Sequence, residues 1–194
     1  MKRNQIILIL AFLAVIGIVL WNGMGSDKQE AQATTEQQAG GTSSVQEELK
    51  VAPVQGSLAP SFQLSSIDKS ISYEVGGQRD KLLIINFWAS WCGPCDMEAP
   101  DLQKIYEKYG DKVDLYAVNA TKYDTVRGAK DFVKEKEIEF PVMLDEDGKV
   151  GDDYKVFSYP ISFIVDKDGV VRERIEGIQP LEKWETMLDG LLKA

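Results

Sequence analysis

Two cysteines, Cys92 and Cys95, are the residues of this sequence best suited to chemistry, and they stand three positions apart in the segment Trp-Cys-Gly-Pro-Cys. The segment follows an apolar run at 82–88, typical of a buried strand, and precedes a helical pattern. This spacing closes a small disulfide ring at a helix N-terminus, where free backbone N–H groups and the helix dipole favour a thiolate. We therefore expect Cys92 to attack a substrate disulfide, and Cys95 to resolve the mixed disulfide by attacking Cys92.

Two other uses of the cysteine pair have to be weighed. A structural disulfide is common in exported proteins, but one that closes so short a loop constrains the unfolded chain little and stabilises the fold little. A metal site is the second use. Because the sequence has no histidine, two cysteines fill a four-ligand zinc site only if two chains pair. Copper(I) can bind two thiolates, so a copper(I)-binding module stays open as an alternative.

Composition excludes several classes of function. The 194 residues carry a formal net charge of −9 without any stripe of lysine and arginine, so binding to nucleic acid is not expected. The absence of histidine removes Cys–His and Ser–His–Asp catalysis within the chain. A hydrophobic content of 44% is normal for a globular protein, which leaves a folded domain as the expected form.

The N-terminal segment predicts export. Lys2 and Arg3 precede an apolar run at 6–21, so the positive-inside rule leaves the N-terminus in the cytoplasm and exports the rest. The run is shorter than the ~20 residues that usually span a bilayer, which makes a signal peptide the alternative. The small residues that cleavage requires are poorly placed. Residues 1–21 are therefore predicted to be a single-pass membrane anchor or uncleaved signal, with the catalytic domain outside the cytoplasm.

The rest of the chain divides into a linker and one domain. Residues 22–56 are rich in Gln, Thr, Ser, Gly, Glu and Ala, so they predict a flexible polar linker. Residues 57–194 predict an α/β domain, with a mixed central β-sheet flanked by helices on both faces. Its expected strands lie at 61–64, 71–75, 82–88, 113–119, 141–144, 161–165 and 170–175, and its expected helices lie at 93–109, 124–136 and from Pro180 onward.

The segment around the cysteines resembles a known family. Residues 87–95, Phe-Trp-Ala-Ser-Trp-Cys-Gly-Pro-Cys, closely resemble the active-site segment of thioredoxin. Pro100 matches the proline that kinks the helix in that family, and residues 159–161, Tyr-Pro-Ile, look like its cis-proline loop. The resemblance covers about residues 59–194 and implies the thioredoxin-like fold.

Within that family the chain looks less like cytoplasmic thioredoxin than like the membrane-anchored, extracytoplasmic thioredoxin-like proteins of bacteria. Those proteins serve in cytochrome c maturation and spore-envelope synthesis. The shared features are the N-terminal anchor, an extra N-terminal strand region that begins Ala-Pro-Ser-Phe at 59–62, and a strand–helix insert after the first βαβ unit. The segment Phe-Pro-Val-Met-Leu-Asp at 140–145 also fits this group.

The resemblance also implies a set of site residues. The catalytic pair is Cys92 and Cys95, which form a redox-active disulfide, and neither a metal nor another cofactor is implied. Pro160 is implied to be cis, a form that is accessible because X–Pro bonds favour the trans form only slightly. The residues implied to contact the substrate chain are Trp91, Gly93, Pro94, Tyr159 and Pro160.

Two positions depart from the thioredoxin pattern. Asn86 stands in the central strand where thioredoxin has a buried aspartate that handles the proton of the second cysteine. Glu98 is the expected replacement and a third catalytic residue, because it follows Cys95 by three positions on the same helix face. Asp96 stands where thioredoxins commonly have a basic residue, and its negative charge is expected to disfavour the Cys92 thiolate.

The direction of electron flow is inferred from the residues between the cysteines. Gly-Pro is the thioredoxin dipeptide, and thioredoxin is reducing at about −270 mV, so a reductant is expected. The implied partners are exported proteins with disulfides, such as apocytochrome c, and a membrane thiol transporter as electron donor; the protein is expected to be a monomer. A disulfide oxidant or isomerase is the alternative.

A peroxiredoxin-type peroxidase is not expected, because Ala89 stands where that family has Thr or Ser.

Overall fold

The computed structural model describes residues 49–193. The predicted anchor at 1–21 and most of the predicted linker at 22–56 lie outside the described residues. None of the helices in the described part is long and apolar enough to cross a membrane. The strands and α-helices follow in the order β1 Phe62–Ser65, β2 Ser72–Val75, β3 Leu82–Trp88, α1 Gly93–Tyr109, β4 Val113–Asn119, α2 Val126–Glu135, β5 Val142–Leu144, α3 Lys149–Asp153, β6 Ile161–Val165, β7 Val171–Glu176 and α4 Leu181–Leu191.

Five strands form the central sheet, in the order β5-β4-β3-β6-β7. Strands β3, β4 and β5 are parallel, whereas β6 runs antiparallel to β3 and β7 runs antiparallel to β6. β3 lies in the middle with every residue buried, as its sequence, apolar except for Asn86, predicts. β1 and β2 pair with each other as a separate antiparallel hairpin. The mixed α/β sheet expected from the sequence is therefore confirmed.

The two faces of the sheet carry separate hydrophobic clusters. One face packs against α1, α2 and α4, whose buried side chains include Leu102, Phe132 and Trp184. The other face is covered by α3 and the N-terminal region, through side chains that include Val150 and Ala59. Because both faces are covered, the ends of the sheet are the places where loops can present polar chemistry.

Side-chain caps explain where the structure differs from the predicted helices. α2 begins two residues later than predicted, because Thr125 is its N-cap and accepts a hydrogen bond from the Gly128 N–H at 2.9 Å. The five-residue α3 is absent from the predicted elements, since so short a helix shows no apolar period. Two of its N–H groups, those of Val150 and Gly151, donate to the buried carboxylate of Asp145.

The ordered domain begins before the predicted boundary at residue 57. The Lys50 carbonyl accepts a hydrogen bond from the Leu58 N–H at 2.9 Å, and the Gly56 N–H donates to the Val171 carbonyl of β7 at 2.8 Å. An edge strand has unpaired backbone groups, and here the segment before residue 58 pairs with some of them. The last residues assigned to the linker therefore belong to the folded domain.

Candidate active site

One end of the central sheet gathers the predicted site residues. β3 ends at Trp88, and residues 89–95, called the cysteine turn below, follow it directly. β6 pairs with β3 from Ile161, which lies opposite Phe87, so the loop that contains Tyr159 and Pro160 reaches the same end of the sheet. The topology thus brings together two segments that are far apart in sequence.

The cysteine turn carries a disulfide at the start of α1. Cys92 and Cys95 are joined by this disulfide, with their Cα atoms 5.3 Å apart. Cys92 is the N-cap of α1, and its Sγ accepts a hydrogen bond from the Cys95 N–H at 3.2 Å. Pro94 stands in the first turn, where its missing N–H leaves no carbonyl unpaired. When the disulfide is reduced, the N-terminal N–H groups and dipole of α1 favour the Cys92 thiolate over the thiol.

The surface around the disulfide is formed by residues predicted to contact substrate. Gly93 and Pro94 are exposed, and a Cβ at Gly93 would meet no neighbouring atom, so another chain can approach the turn closely. Trp91 is 62% exposed, and its ring lies edge-on to the Tyr159 ring with the centroids 5.9 Å apart. The Tyr159–Pro160 peptide is cis, as the resemblance implies. Trp91 and Tyr159 are therefore in contact beside the turn, while the Pro160 side chain is buried.

Glu98, three residues after Cys95 in α1, is only 2% exposed. Its Oε1 accepts a hydrogen bond from the Gln179 N–H and its Oε2 accepts one from the Asn86 side chain, each at 3.3 Å. Burial raises the pKa of Glu98 to about 7, and these two hydrogen bonds offset that rise only in part. The indole N–H of Trp184 has no partner in good hydrogen-bond geometry, but it lies close enough to favour the carboxylate slightly. A carboxyl group with this pKa exchanges its proton near neutral pH.

Asn86 links Glu98 to the second cysteine. Its Nδ2 donates to the Glu98 carboxylate and also to the Ser162 hydroxyl, the latter at 2.9 Å. Asn86 and Cys95 line the same small cavity of about 10 Å³, close to the space that one water molecule needs. Asn86 therefore contacts the Glu98 carboxylate and lines a cavity together with Cys95, an arrangement that supports the predicted proton exchange. Ser162 was missed by sequence reasoning, since a buried serine in an apolar strand carries no signal of its partner.

The expectation that Asp96 disfavours the Cys92 thiolate did not include a positive charge that the fold places beside Asp96. Lys136, directly after α2, forms an ion pair with Asp96, with 2.5 Å between Nζ and Oδ1. The hydrogen bond to Asp96 raises the pKa of Lys136, so the ammonium group stays charged. A positive charge next to the second cysteine is therefore supplied from another helix. Sequence reasoning missed Lys136 because spacing rules connect residues within one helix and not between two.

The site offers few ligands for a metal. Among residues 49–193, no three or more His, Cys, Asp or Glu side chains are grouped so that they could hold a metal ion. The two thiolates formed on reduction are a donor set that suits copper(I) and is incomplete for zinc. Ala89 is fully buried in the cysteine turn and brings no hydroxyl of the kind that a peroxiredoxin-type site uses.

Several known proteins are similar to this chain over most of its length. The AhpC/TSA family model matches residues 55–174. Thiol-disulfide oxidoreductase ResA of a Bacillus cereus strain is 31% identical over 196 residues, which cover 98% of this chain and 99% of that protein. Thioredoxin-like protein YneN of Bacillus subtilis (strain 168) is 33% identical over 138 residues, which cover 70% of this chain and 79% of that protein.

Solved structures agree with the fold. A Chlorobium tepidum protein described as the thiol:disulfide interchange protein DsbE has a TM-score of 0.65 at 29% identity, covering 72% of this chain and 98% of its own. StoA from Bacillus subtilis has a TM-score of 0.59 at 26% identity, covering 66% of this chain and 95% of its own. The chain belongs to the AhpC/TSA family of thioredoxin-like proteins and is a thiol–disulfide oxidoreductase.

Proposed function

We propose that this protein is a membrane-tethered reductant that works outside the cytoplasm and reduces disulfides in exported proteins, apocytochrome c among them. The apolar run at 6–21, preceded by Lys2 and Arg3, supports the tether and its orientation. The thioredoxin dipeptide between Cys92 and Cys95 supports the reducing direction. Because compartments outside the cytoplasm are oxidising, a membrane thiol-electron transporter is the proposed donor.

The reaction begins at Cys92. Its thiolate attacks one sulfur of the substrate disulfide, and a mixed disulfide forms while the substrate S–S bond breaks. The other substrate sulfur leaves as a thiolate and takes up a proton. Trp91 and Tyr159, which are in contact beside the turn, hold the substrate chain that flanks the attacked sulfur.

Cys95 completes the reaction. Glu98 accepts the proton of the Cys95 thiol, while the Asn86 amide, which lines the same cavity as Cys95, holds the Glu98 carboxylate in place. The Cys95 thiolate then attacks the Cys92 sulfur, the mixed disulfide breaks, and the substrate sulfur that was bound to Cys92 leaves as a thiolate. Two electrons have passed from the cysteine pair to the substrate. The donor returns two electrons and opens the Cys92–Cys95 disulfide, Cys92 is released as a thiolate, and Cys95 takes back the proton held by Glu98.

The observation that carries this proposal is the buried Glu98, with a pKa of about 7, in the helix that begins at the disulfide. A structural disulfide has no proton to exchange and needs no such carboxyl group. A pair of cysteines that is oxidised and reduced in every cycle does need one, because each reduction places a proton on Cys95 and each oxidation removes it.

Redox titration of the full chain in detergent micelles tests the proposal. We expect one two-electron transition at about −270 mV or below, measured by thiol alkylation after equilibration in dithiol buffers. The Cys92→Ala variant is the control and should show no transition. A potential well above about −200 mV, the glutaredoxin range, would reverse the proposed direction and point to disulfide formation or isomerisation. If the full chain showed no reversible transition, copper(I) binding by the reduced pair would become the better function.

A further inference from the structure

Asp124, in the loop between β4 and α2, makes four short hydrogen bonds around its carboxylate. Oδ2 accepts from the Ser90 backbone N–H at 2.6 Å and from the Asn119 side chain at 2.8 Å. Oδ1 accepts from the Ser90 hydroxyl and from the Thr125 backbone N–H, each at 2.7 Å. Each oxygen therefore has two donors, which is what an ionised carboxylate can accommodate.

The charge of Asp124 is maintained by these donors. Burial alone would raise the pKa of Asp124, but the hydrogen bonds from Asn119 and Ser90 outweigh burial and keep the pKa below its ordinary value. The carboxylate is therefore ionised at neutral pH, and all four bonds are charge-assisted.

Two of the four bonds hold Ser90, the residue directly before Trp91. The same loop also holds the Trp91 ring, because its indole N–H donates to the Tyr123 carbonyl at 2.9 Å. Tyr123 directly precedes Asp124 in the chain. Asp124 therefore holds the backbone before Trp91, and its neighbour Tyr123 holds the indole N–H of the Trp91 ring. Trp91 is 62% exposed and gains little orientation from core packing, which leaves these bonds and the contact with Tyr159 to set its direction.

The first turn of α2 closes the space around this loop. A Cβ at Gly128 would lie 2.6 Å from the Ser90 hydroxyl oxygen and 3.2 Å from Asp124 Oδ1. A side chain at residue 128 would therefore crowd the Ser90–Asp124 hydrogen bond, and the glycine leaves room for it.

We propose that Asp124 is a positioning residue for protein substrates: it holds Trp91 in the orientation that, with Tyr159, receives the chain flanking the substrate disulfide. Asp124 touches neither cysteine in any of its four bonds, so the chemistry at Cys92 and Cys95 continues without it. The inference rests on the proposed function, since it assumes that a protein chain is the substrate.

Steady-state kinetics of the full chain in micelles tests the proposal with two substrates, insulin and the small hydroxyethyl disulfide. In Asp124→Ala we expect the KM for insulin to rise about tenfold while its kcat changes by less than about twofold, because contacts of the substrate chain are lost and the reacting sulfurs are not. The rate with hydroxyethyl disulfide should change by less than about twofold, since a small disulfide makes no use of the oriented ring. The redox potential should be unchanged.

A matched control lies on the adjacent helix. Asp131 is exposed and, within residues 49–193, pairs only with Arg127 at 3.8 Å, so Asp131→Ala should leave all rates unchanged. If Asp124→Ala fails to fold, Ser90→Ala removes one of the four bonds and should raise the KM for insulin roughly threefold without changing kcat.

The outcomes separate this inference from the proposed function. Equal losses with both substrates, or an unchanged KM for insulin in Asp124→Ala and Ser90→Ala, would overturn the positioning role. A wild-type protein that reduced neither insulin nor apocytochrome c would instead count against the proposed function.

Discussion

A glutamate on an exposed helix face is ionised at neutral pH and holds no proton for a neighbouring thiol. Glu98 differs because the fold buries it among residues that are distant from it in sequence. The Gln179 backbone and the Asn86 side chain each reach it from another part of the chain. The residue type and its offset from Cys95 indicate a carboxylate near the pair, but only burial gives that carboxylate a pKa of about 7.

Burial of Glu98 predicts a pH dependence of stability that can be measured. The pKa rises from 4.5 to about 7 on folding, so between these values the folded state keeps a proton that the unfolded chain releases. Stability contributed by protonated Glu98 is therefore full below pH 4.5 and lost as the pH rises through 7, by roughly 3 kcal/mol in all. In Glu98→Gln this loss should disappear. The measurement is denaturant unfolding of the oxidised protein at pH 5 and pH 8, with wild type and variant side by side.

In the oxidised form the cysteines do not titrate. The difference between wild type and Glu98→Gln in the pH dependence of the free energy of unfolding therefore comes from Glu98. A control is Glu107→Gln, on the exposed face of the same helix, which should keep the wild-type pH dependence. If Glu98→Gln lost stability between pH 5 and pH 8 as steeply as wild type, the raised pKa of Glu98 would be wrong.

At the scale of elements, α2 contacts the start of the active site from both of its ends, the turn before α1 from one end and α1 itself from the other. Its N-terminal loop holds Ser90 through Asp124, and Lys136 at its C-terminus neutralises Asp96 in the first turn of α1. The residues at the two ends of α2 therefore supply charges next to the cysteine turn. Helices α1 and α2 were both predictable, because each has its own apolar period. These contacts between them were not.

The Lys136–Asp96 pair predicts a change in thiol reactivity. Lys136→Met leaves the Asp96 charge uncompensated near Cys92, which disfavours the thiolate and raises the pKa of the Cys92 thiol. Asp96 is about half exposed, so solvent screens the effect, and we expect a decrease of roughly two- to threefold in the rate of Cys92 alkylation at pH 7. The measurement is iodoacetamide alkylation of the reduced protein at low ionic strength.

A neighbouring lysine provides the control. Lys134 lies in the last turn of the same helix, is exposed, and forms none of the ion pairs found among residues 49–193, so Lys134→Met should leave the alkylation rate unchanged. High salt should reduce the effect of Lys136→Met, since a charge effect at the surface is screened. An equal effect of both variants would mean that net charge, and not the ion pair, sets the reactivity of Cys92.

Features encoded within one short segment could be predicted from the sequence, whereas contacts between distant segments could not. The cysteine turn, the extent of β3 and α1, and the cis form of Tyr159–Pro160 follow from short segments that carry their own signal. Ser162 and Lys136 had no such signal, because their partners Asn86 and Asp96 lie in other elements. The segment before residue 57 was assigned to the linker for the same reason: its polar composition resembles a linker, and its backbone pairing with β7 has no sequence pattern.

For the whole molecule, the fold brings the cysteine turn, the Asp124 loop and the cis-proline loop to one end of one sheet. The C-terminal ends of β3 and β4 and the start of β6 meet there, and the loops that follow or precede them carry the cysteines, Asp124 and Pro160. A substrate protein can therefore approach from a single side. In the described residues, the N-terminal segment reaches the domain at the edge strand β7, through the Gly56–Val171 hydrogen bond, and leaves the exposed cysteine turn uncovered.

The proposed tether predicts which side of the membrane this exposed turn faces. With Lys2 and Arg3 retained in the cytoplasm, Cys92 and Cys95 lie outside it. A membrane-impermeant maleimide should label them in intact cells after mild reduction with a charged phosphine. The matched control is Asn4→Cys in a background where both native cysteines are serine. Because residue 4 precedes the apolar run, this variant should be labelled only after the membrane is permeabilised. If Cys92 were labelled only after permeabilisation, the domain would lie in the cytoplasm. A reductant there needs no transmembrane donor, and exported proteins would no longer be its substrates.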